Sequence, residues 1–171
     1  MSRHVLACAL LLACGLGAPL GAQTGGDQRA VYRYRVAIAG MLQLKPGMAA
    51  AEVGPAAGFL AKVMEDQIAP GGRAIARESI AALDPASLDA VALLDFFSAS
   101  TPPADVFRSI ASALKPGGAL LIVDVAREGT GANQKGIDAE DALSLAAAAG
   151  FTREAESGIV PGHFAIRFRK P

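Results

Sequence analysis

Ala49 to Val53 is a short apolar run that ends in Gly54-Pro55-Ala56-Ala57-Gly58, and from Phe59 the spacing turns helical. Leu60, Val63, Met64 and Ile68 fall on one face of that helix. Pro70-Gly71-Gly72 stops it, and Arg73 to Glu78 reads as a second strand. A strand, a glycine turn, a helix and a strand in that order are the opening unit of a parallel sheet.

The remainder repeats this alternation. Leu88 to Asp95 is apolar almost throughout, as a strand covered on both faces should be. Thr101-Pro102-Pro103 starts a helix with Val106, Phe107, Ile110, Ala113 and Leu114 as its buried stripe. Lys115-Pro116-Gly117-Gly118 ends that helix, and Ala119 to Val125 is the next strand. Gly129 to Gly136 is a polar loop, and Asp138 caps a helix that runs to Ala149 and stops at Gly150. Thr152 to Ser157 and His163 to Arg169, joined through Val160-Pro161-Gly162, form an antiparallel hairpin. Upstream, Ala30 to Leu42 is loosely helical, with Val31, Val36, Ala39 and Leu42 as apolar positions. Arg29, Arg33 and Arg35 among them form either a solvated face or an anion site, and Lys45-Pro46-Gly47 is a turn. The predicted fold class is α/β: a doubly wound, mostly parallel sheet with a C-terminal antiparallel hairpin.

Residues 1–22 differ from the rest. Arg3 and His4 precede an apolar run from Val5 to Leu16, and Pro19-Leu20-Gly21-Ala22 offers a small-residue cleavage site before Gln23. These are the three regions of a secretory signal. The run is short for a membrane anchor, which needs roughly 20 apolar residues. Leu11-Leu12-Ala13-Cys14 resembles a lipidation site, but a cut there would leave an exposed apolar stub. The expected organisation is a signal peptide over 1–22, a polar leader and helix start over 23–35, and one domain over 36–171. The expected location is outside the cytoplasm, in the periplasm, with no transmembrane segment after cleavage. Both cysteines, Cys8 and Cys14, lie in the signal, so the remaining chain has no disulfide, thiolate metal site or cysteine nucleophile. Cleavage removes one of the 16 basic residues against 16 acidic ones. A charge balance so near zero argues against nucleic acid or anionic lipid as partners.

The chemistry concentrates at Glu52-Val53-Gly54-Pro55-Ala56-Ala57-Gly58. A strand that ends in glycines and opens a helix sets backbone N–H groups and a positive helix end beside a ligand. A carboxylate just before the glycines suits a cationic amino group or a ribose. A nicotinamide-dinucleotide fingerprint wants glycine at the third and sixth loop positions, where this chain has Ala56 and Phe59.

With its flanks, Leu44-Lys45-Pro46-Gly47-Met48 and Ala51 to Phe59, this stretch resembles the first motif of the class I S-adenosylmethionine-dependent methyltransferases. Gly71 to Glu78 is similar to their second motif, Ser87-Leu88-Asp89-Ala90-Val91 to the entry of their fourth strand, and Leu114 to Asp124 to their LKPGG helix-turn-strand signature. Ala148-Ala149-Gly150-Phe151 resembles their last helix end. The likeness covers nearly all of Val36 to Lys170 and is nearest to exported methyltransferase-like proteins. It implies S-adenosylmethionine as cofactor, with Glu52, Gly54, Ala56 and Gly58 at its methionine end and Glu78 on its ribose hydroxyls.

Three departures mark this chain. Ala56 replaces the middle glycine, so a methyl stands where the backbone should approach the cofactor. Only ten residues separate Glu78 from Asp89, too few for the family's third strand and its helix, which flank the adenine. In the family that strand lies at the sheet edge, so its loss should leave Arg73 to Glu78 as the edge, with Arg77 opposing aggregation. Asp95-Phe96-Phe97-Ser98-Ala99-Ser100 lacks the histidine that relatives carry after the fourth strand. Asp95 is the candidate for orienting a substrate, with the capping of a turn as its plain alternative. His163 reads as structural or solvated, and Ser98, Ser100 and Thr101 have no neighbouring histidine for a nucleophilic relay. Asp138, Glu140 and Asp141 suit a helix start better than a metal, so no metal site is expected. Two functions follow: methyl transfer to a small-molecule acceptor, or a catalytically inactive module of the same fold that binds an envelope protein, for example along its edge strand.

Overall fold

The computed structural model describes residues 24–55, 57–99, 105–125 and 137–171, with side chains from residue 31 onward except at 82, 98 and 99. Residues 1–22, read above as a signal peptide, Ala56, the helix start read at Thr101-Pro102-Pro103 and the loop read from Gly129 to Gly136 lie outside the described residues. Chain order is α1 (Thr24–Met41), β1 (Ala49–Val53), α2 (Ala61–Ile68), β2 (Arg73–Arg77), a 3-10 turn (Ile80–Ala82), β3 (Leu88–Leu94), α3 (Phe96–Ala99), α4 (Asp105–Ala113), β4 (Leu114–Val125), α5 (Ala139–Ala148), β5 (Thr152–Ser157) and β6 (His163–Arg169).

The six strands lie in the order β2-β1-β3-β4-β6-β5. The first four are parallel, β6 runs antiparallel to β4, and β5 antiparallel to β6. Alternation along each strand sends successive side chains to opposite faces. Ala50, Ala90, Ala92, Leu94, Leu121, Val123 and Ala165 pack with Val31, Ile38 and Ala39 of α1, Leu42 just after it, and Leu60 and Met64 beside and on α2. Val53, Val91, Leu93, Leu120, Ile122, Ile166 and Phe168 pack on the other face with Val106, Phe107 and Ile110 of α4 and Ala142 and Ala146 of α5. The alanine-rich face lets α1 and α2 lie close to the sheet, and the bulkier face fills the wider space under α4 and α5. Both faces are covered, which is why β1, β3 and β4 carry so few polar residues.

Several details differ from the sequence reading, one being that α1 begins at Thr24 rather than Ala30. Val36 is 61% exposed, and Ile38 takes its place in the core. Five residues beyond Val31 is 500° of helical turn, which carries Val36 to the far side, whereas Ile38, seven residues on, returns to the buried face. Helix α2 begins at Ala61 rather than Phe59. Lys115 to Gly118 lies within β4: Leu88 pairs with Leu114 and Ala90 with Ala119, so the turn is taken up as an irregularity with Gly117 at a φ of 73°. The C-terminal hairpin and the Asp138 cap stand where the sequence placed them.

Strand β2 is the sheet edge, and the chain returns to β3 through the 3-10 turn alone. Ile80 of that turn joins the core under α4. The Arg77 guanidinium folds back and donates to the Ala76 carbonyl at 2.9 Å. A charged side chain thus occupies part of the edge that a passing strand would need.

Candidate functional site

The chain leaves β1 toward β2 on one side, while β3 lies on the other, so the strand order reverses between β1 and β3. Such a switch point opens a crevice at the carboxyl ends of the strands. Gly54 closes its floor. Its φ is 156°, and a Cβ there would stand 2.7 Å from the Leu94 carbonyl oxygen. Its N–H donates to the Arg77 carbonyl at 3.1 Å, which ties the exits of β1 and β2 together.

Glu52 shapes the loop above. It is fully buried, and its carboxylate accepts four backbone N–H groups: Gly58 at 2.8 Å, Phe59 at 3.1 Å, Leu60 at 2.9 Å and Ala61 at 3.0 Å. Leu60 and Ala61 are orphan donors at the start of α2, whose own cap residue, Leu60, has no side-chain oxygen to offer, and Gly58 and Phe59 belong to the loop before it. Burial pushes the Glu52 carboxyl above its ordinary range, and the four donors partly oppose that. Glu52, which the sequence reading places at the methionine end of the cofactor, is thus engaged with the loop's own backbone. It lies beneath the loop and holds the loop's shape.

Gly58 has a φ of 128° with open space where a Cβ would be. Glu78 is exposed just past the end of β2. Gly54, Gly58, Glu78 and Asp95 thus share the carboxyl end of the sheet, and Ala56, between the two glycines, lies outside the described residues. Among the described loop residues every N–H has an internal partner, since Ala57 donates to the Gly54 carbonyl at 3.1 Å and Pro55 has none to give.

Asp95 follows β3 with a φ of 46° and donates its N–H to the Val123 carbonyl at 2.9 Å. Its Oδ1 lies 3.3 Å from His163 Nε2. No local pattern announces this pair; only the strand order, which sets β6 against β4 with His163 opposite Val125, brings the two residues to one end. Asp124, also buried there, accepts the N–H groups of Phe97 at 2.7 Å and Val125 at 2.9 Å.

Two other features lie nearby or apart. Beside Gly58, an open groove of about 870 Å³ runs between α1 and α2. Tyr32 meets Phe59 edge-to-face there at 6.0 Å, and Arg35 stacks on Tyr32 at 4.1 Å. Of the N-terminal arginines, Arg33 is exposed and Arg35 is engaged with Tyr32. At the opposite end of the sheet, Asp89 accepts from the Ala49 N–H at 2.8 Å and from Lys115 Nζ at 2.7 Å. Burial alone would raise the Asp89 carboxyl, but these two partners hold it below its ordinary value. The acids at 138–141 form a capping box, with Asp141 N–H on Asp138 at 2.8 Å. Among the described residues no three histidine, cysteine or acidic side chains gather as metal ligands, and no helix is long and apolar enough to cross a membrane.

No family model and no curated protein matches the chain. Solved structures do. An S-adenosylmethionine-dependent methyltransferase from Aquifex aeolicus is 14% identical with a TM-score of 0.71, over 86% of this chain and 96% of that one. The Burkholderia thailandensis 1,6-didemethyltoxoflavin-N1-methyltransferase, solved with its substrate and S-adenosylhomocysteine, is 16% identical with a TM-score of 0.63, over 86% and 81%. The [4+2]-cyclase SpnF is 16% identical with a TM-score of 0.62, over 84% and 82%. At these identities the likeness establishes the fold, a Rossmann-like sheet of the methyltransferase kind, here with β2 at its edge.

Proposed function

We propose that the chain binds S-adenosylmethionine in the crevice between the exits of β1, β2 and β3 and transfers its methyl group to a small acceptor. The observation that carries this reading is the occupied start of α2. A dinucleotide is held by a pyrophosphate resting on free N–H groups at a helix N-terminus. Here the Leu60 and Ala61 N–H groups at that start, with Gly58 and Phe59 of the loop before it, are already taken by the Glu52 carboxylate. What the loop retains is carbonyl acceptors and an unobstructed Gly58, with Glu78 at the neighbouring strand end. Acceptors and a carboxylate suit an ammonium group and ribose hydroxyls, both of which S-adenosylmethionine carries without any phosphate. When bound, that cofactor would supply an electrophilic methyl group. The residues of this chain would position it, and catalysis of this kind is largely positioning.

A second reading has its own support. With β2 at the edge, the only element after Glu78 and before β3 is a single 3-10 turn, so little described structure is available to flank an adenine. The cyclase among the neighbours has the same fold under a different reaction name. On this reading the chain is a catalytically inactive module of the cell envelope. Export through the segment 1–22 belongs to both readings and is tested by sequencing the N-terminus of the secreted protein.

Calorimetric titration with S-adenosylmethionine, S-adenosylhomocysteine and, as contrast, oxidised nicotinamide dinucleotide separates the possibilities. Micromolar binding of the first two, none of the third, and loss on Gly58→Leu or Glu78→Ala is the expected result. A folded chain that gives no heat with S-adenosylmethionine at millimolar concentration sinks the enzyme reading.

A further inference from the structure

We propose that Asp95 and His163 work as a pair on the methyl acceptor: Asp95 is the catalytic residue that takes the acceptor's proton, and His163 is the positioning residue that orients it. The proposal rests on the cofactor reading above and names the acceptor class as a protic nucleophile, an amine or a hydroxyl.

Position comes first. Gly54 packs so tightly on the Leu94 carbonyl that no Cβ fits, so Asp95 is the first residue past the point where the exits of β1 and β3 meet. It is held there at a φ of 46°, a left-handed conformation that aspartate tolerates better than most residues. His163 arrives from the other side of the sheet order, at the first position of β6, opposite the last residue of β4. Two strand ends separated by 68 positions of sequence therefore place one carboxylate and one imidazole at the carboxyl end of the parallel strands.

The hydrogen-bonding chemistry then assigns a proton. His163 Nδ1 lies 3.1 Å from the Pro161 carbonyl oxygen, which can only accept, so Nδ1 carries hydrogen. Nε2 faces Asp95 Oδ1 at 3.3 Å. A bare lone pair against an ionised carboxylate oxygen would repel, whereas a proton on either atom turns this contact into an attraction. The contact is longer than an aligned charge-assisted bond of about 2.8 Å, which leaves room for it to tighten when a ligand arrives. The side chain of His163 is 2% exposed and that of Asp95 is 20% exposed. Asp95 is thus the member a molecule in the crevice touches, and His163 stands behind it. Asp124 cannot substitute, because it is 1% exposed and both its oxygens accept backbone N–H groups.

An amine or hydroxyl that gains a methyl group must shed a proton. A lone pair of its nitrogen or oxygen forms the new bond to the methyl carbon, its N–H or O–H bond breaks with that pair staying on the heteroatom, and the proton passes to the Asp95 carboxylate. The pair of the broken carbon–sulfur bond stays on sulfur, giving the neutral thioether, and no further reactant is needed. An acceptor with no proton to lose would have no use for such a pair.

The test uses the amine analogue of S-adenosylmethionine, in which a C–NH3⁺ group replaces the sulfonium methyl and so stands where the acceptor and its base should meet. Affinities for this analogue and for S-adenosylhomocysteine are compared by calorimetry in the wild type, Asp95→Asn and His163→Gln. Asparagine also accepts a left-handed φ, so the first variant keeps its backbone. The expected wild-type preference for the amine is roughly tenfold or more, the worth of one charge-assisted bond. It collapses toward parity in Asp95→Asn and shrinks in His163→Gln. Nitrogen-15 spectra of the imidazole, whose only companion in the chain is His4, should show Nδ1 protonated in the free protein and a shift with the amine analogue but not with S-adenosylhomocysteine. A preference that survives in Asp95→Asn, or an imidazole with Nδ1 unprotonated, overturns the pair and leaves the cofactor reading standing. A folded chain that binds neither ligand overturns the cofactor reading and takes the role of the pair with it.

Discussion

Replacing Glu52 by glutamine tests whether the acid of the β1 exit is a structural brace or a ligand group. The substitution keeps size and shape and removes one acceptor oxygen. Oε2 accepts three N–H groups and Oε1 one. In its better rotamer the glutamine oxygen keeps the three, and its NH2 then faces the Phe59 N–H, donor against donor. Exchanging charged for neutral acceptance costs about 1 kcal/mol per bond, and an orphaned donor about 1–3 kcal/mol. Because three of the four contacts are only partly buried, water recovers some of this, and the expected loss is roughly 3 kcal/mol. Against a typical stability of about 5–15 kcal/mol the variant should still fold. Urea unfolding at neutral pH, followed by far-ultraviolet circular dichroism, should show a lower midpoint with an unchanged slope. If the unfolding free energy stays within about 0.5 kcal/mol of the wild type while S-adenosylhomocysteine binding disappears, the bracing argument is wrong and Glu52 acts on the ligand.

Other substitutions follow the same geometry. Gly54→Ala drives a Cβ to 2.7 Å from the Leu94 carbonyl and should cost roughly 3 kcal/mol, read as a lower melting temperature. Gly58→Ala meets no neighbour and should cost only about 1–2 kcal/mol of backbone strain, so its larger effect should appear in cofactor affinity. Asp89→Asn keeps the bond to Ala49 but loses the half-exposed Lys115 partner, a loss of about 0.5–1 kcal/mol at neutral pH. Since the folded Asp89 carboxyl is held below its ordinary 3.8, its contribution is complete above that value and disappears as pH falls through the lower folded one. The denaturation difference between wild type and Asp89→Asn should therefore close in strong acid; a constant gap from neutral pH downward refutes the ion pair. Arg77→Val uncovers the Ala76 carbonyl and should promote self-association, visible by light scattering as growth in mass with concentration.

Much of the fold was legible because each element carries its own period and its own stop. The boundaries of β1 and of both hairpin strands could be read from alternation and turn residues alone. The edge position of β2 could be read from arithmetic, since the residues between Glu78 and Asp89 are too few for another strand and helix. Val36 and Ile38 were harder to sort, because α1 holds apolar residues at several angles and only the alanine-rich sheet face selects among them. The start of α2 was misplaced by two residues because its cap comes from the preceding strand, and a cap from a remote carboxylate leaves no signature beside the helix.

The candidate site divides along the same line. Glycines report themselves, because a positive φ or a close backbone approach demands them, and Gly54 and Gly58 were found this way. A carboxylate reports only that it is there. Glu52, Glu78 and Asp95 are equally acidic in sequence, yet one is buried under four N–H groups, one stands exposed at a strand end, and one faces an imidazole. What separates them is the partner each meets, and for Glu52 the partner also decides the ligand. With the carboxylate holding the N–H groups of Gly58, Phe59, Leu60 and Ala61, the β1–α2 turn offers a pyrophosphate fewer donors, although its strand-glycine-helix order resembles turns that serve one. The same order of elements therefore supports opposite ligand chemistries, and the choice rests on one acidic side chain two residues before the first glycine.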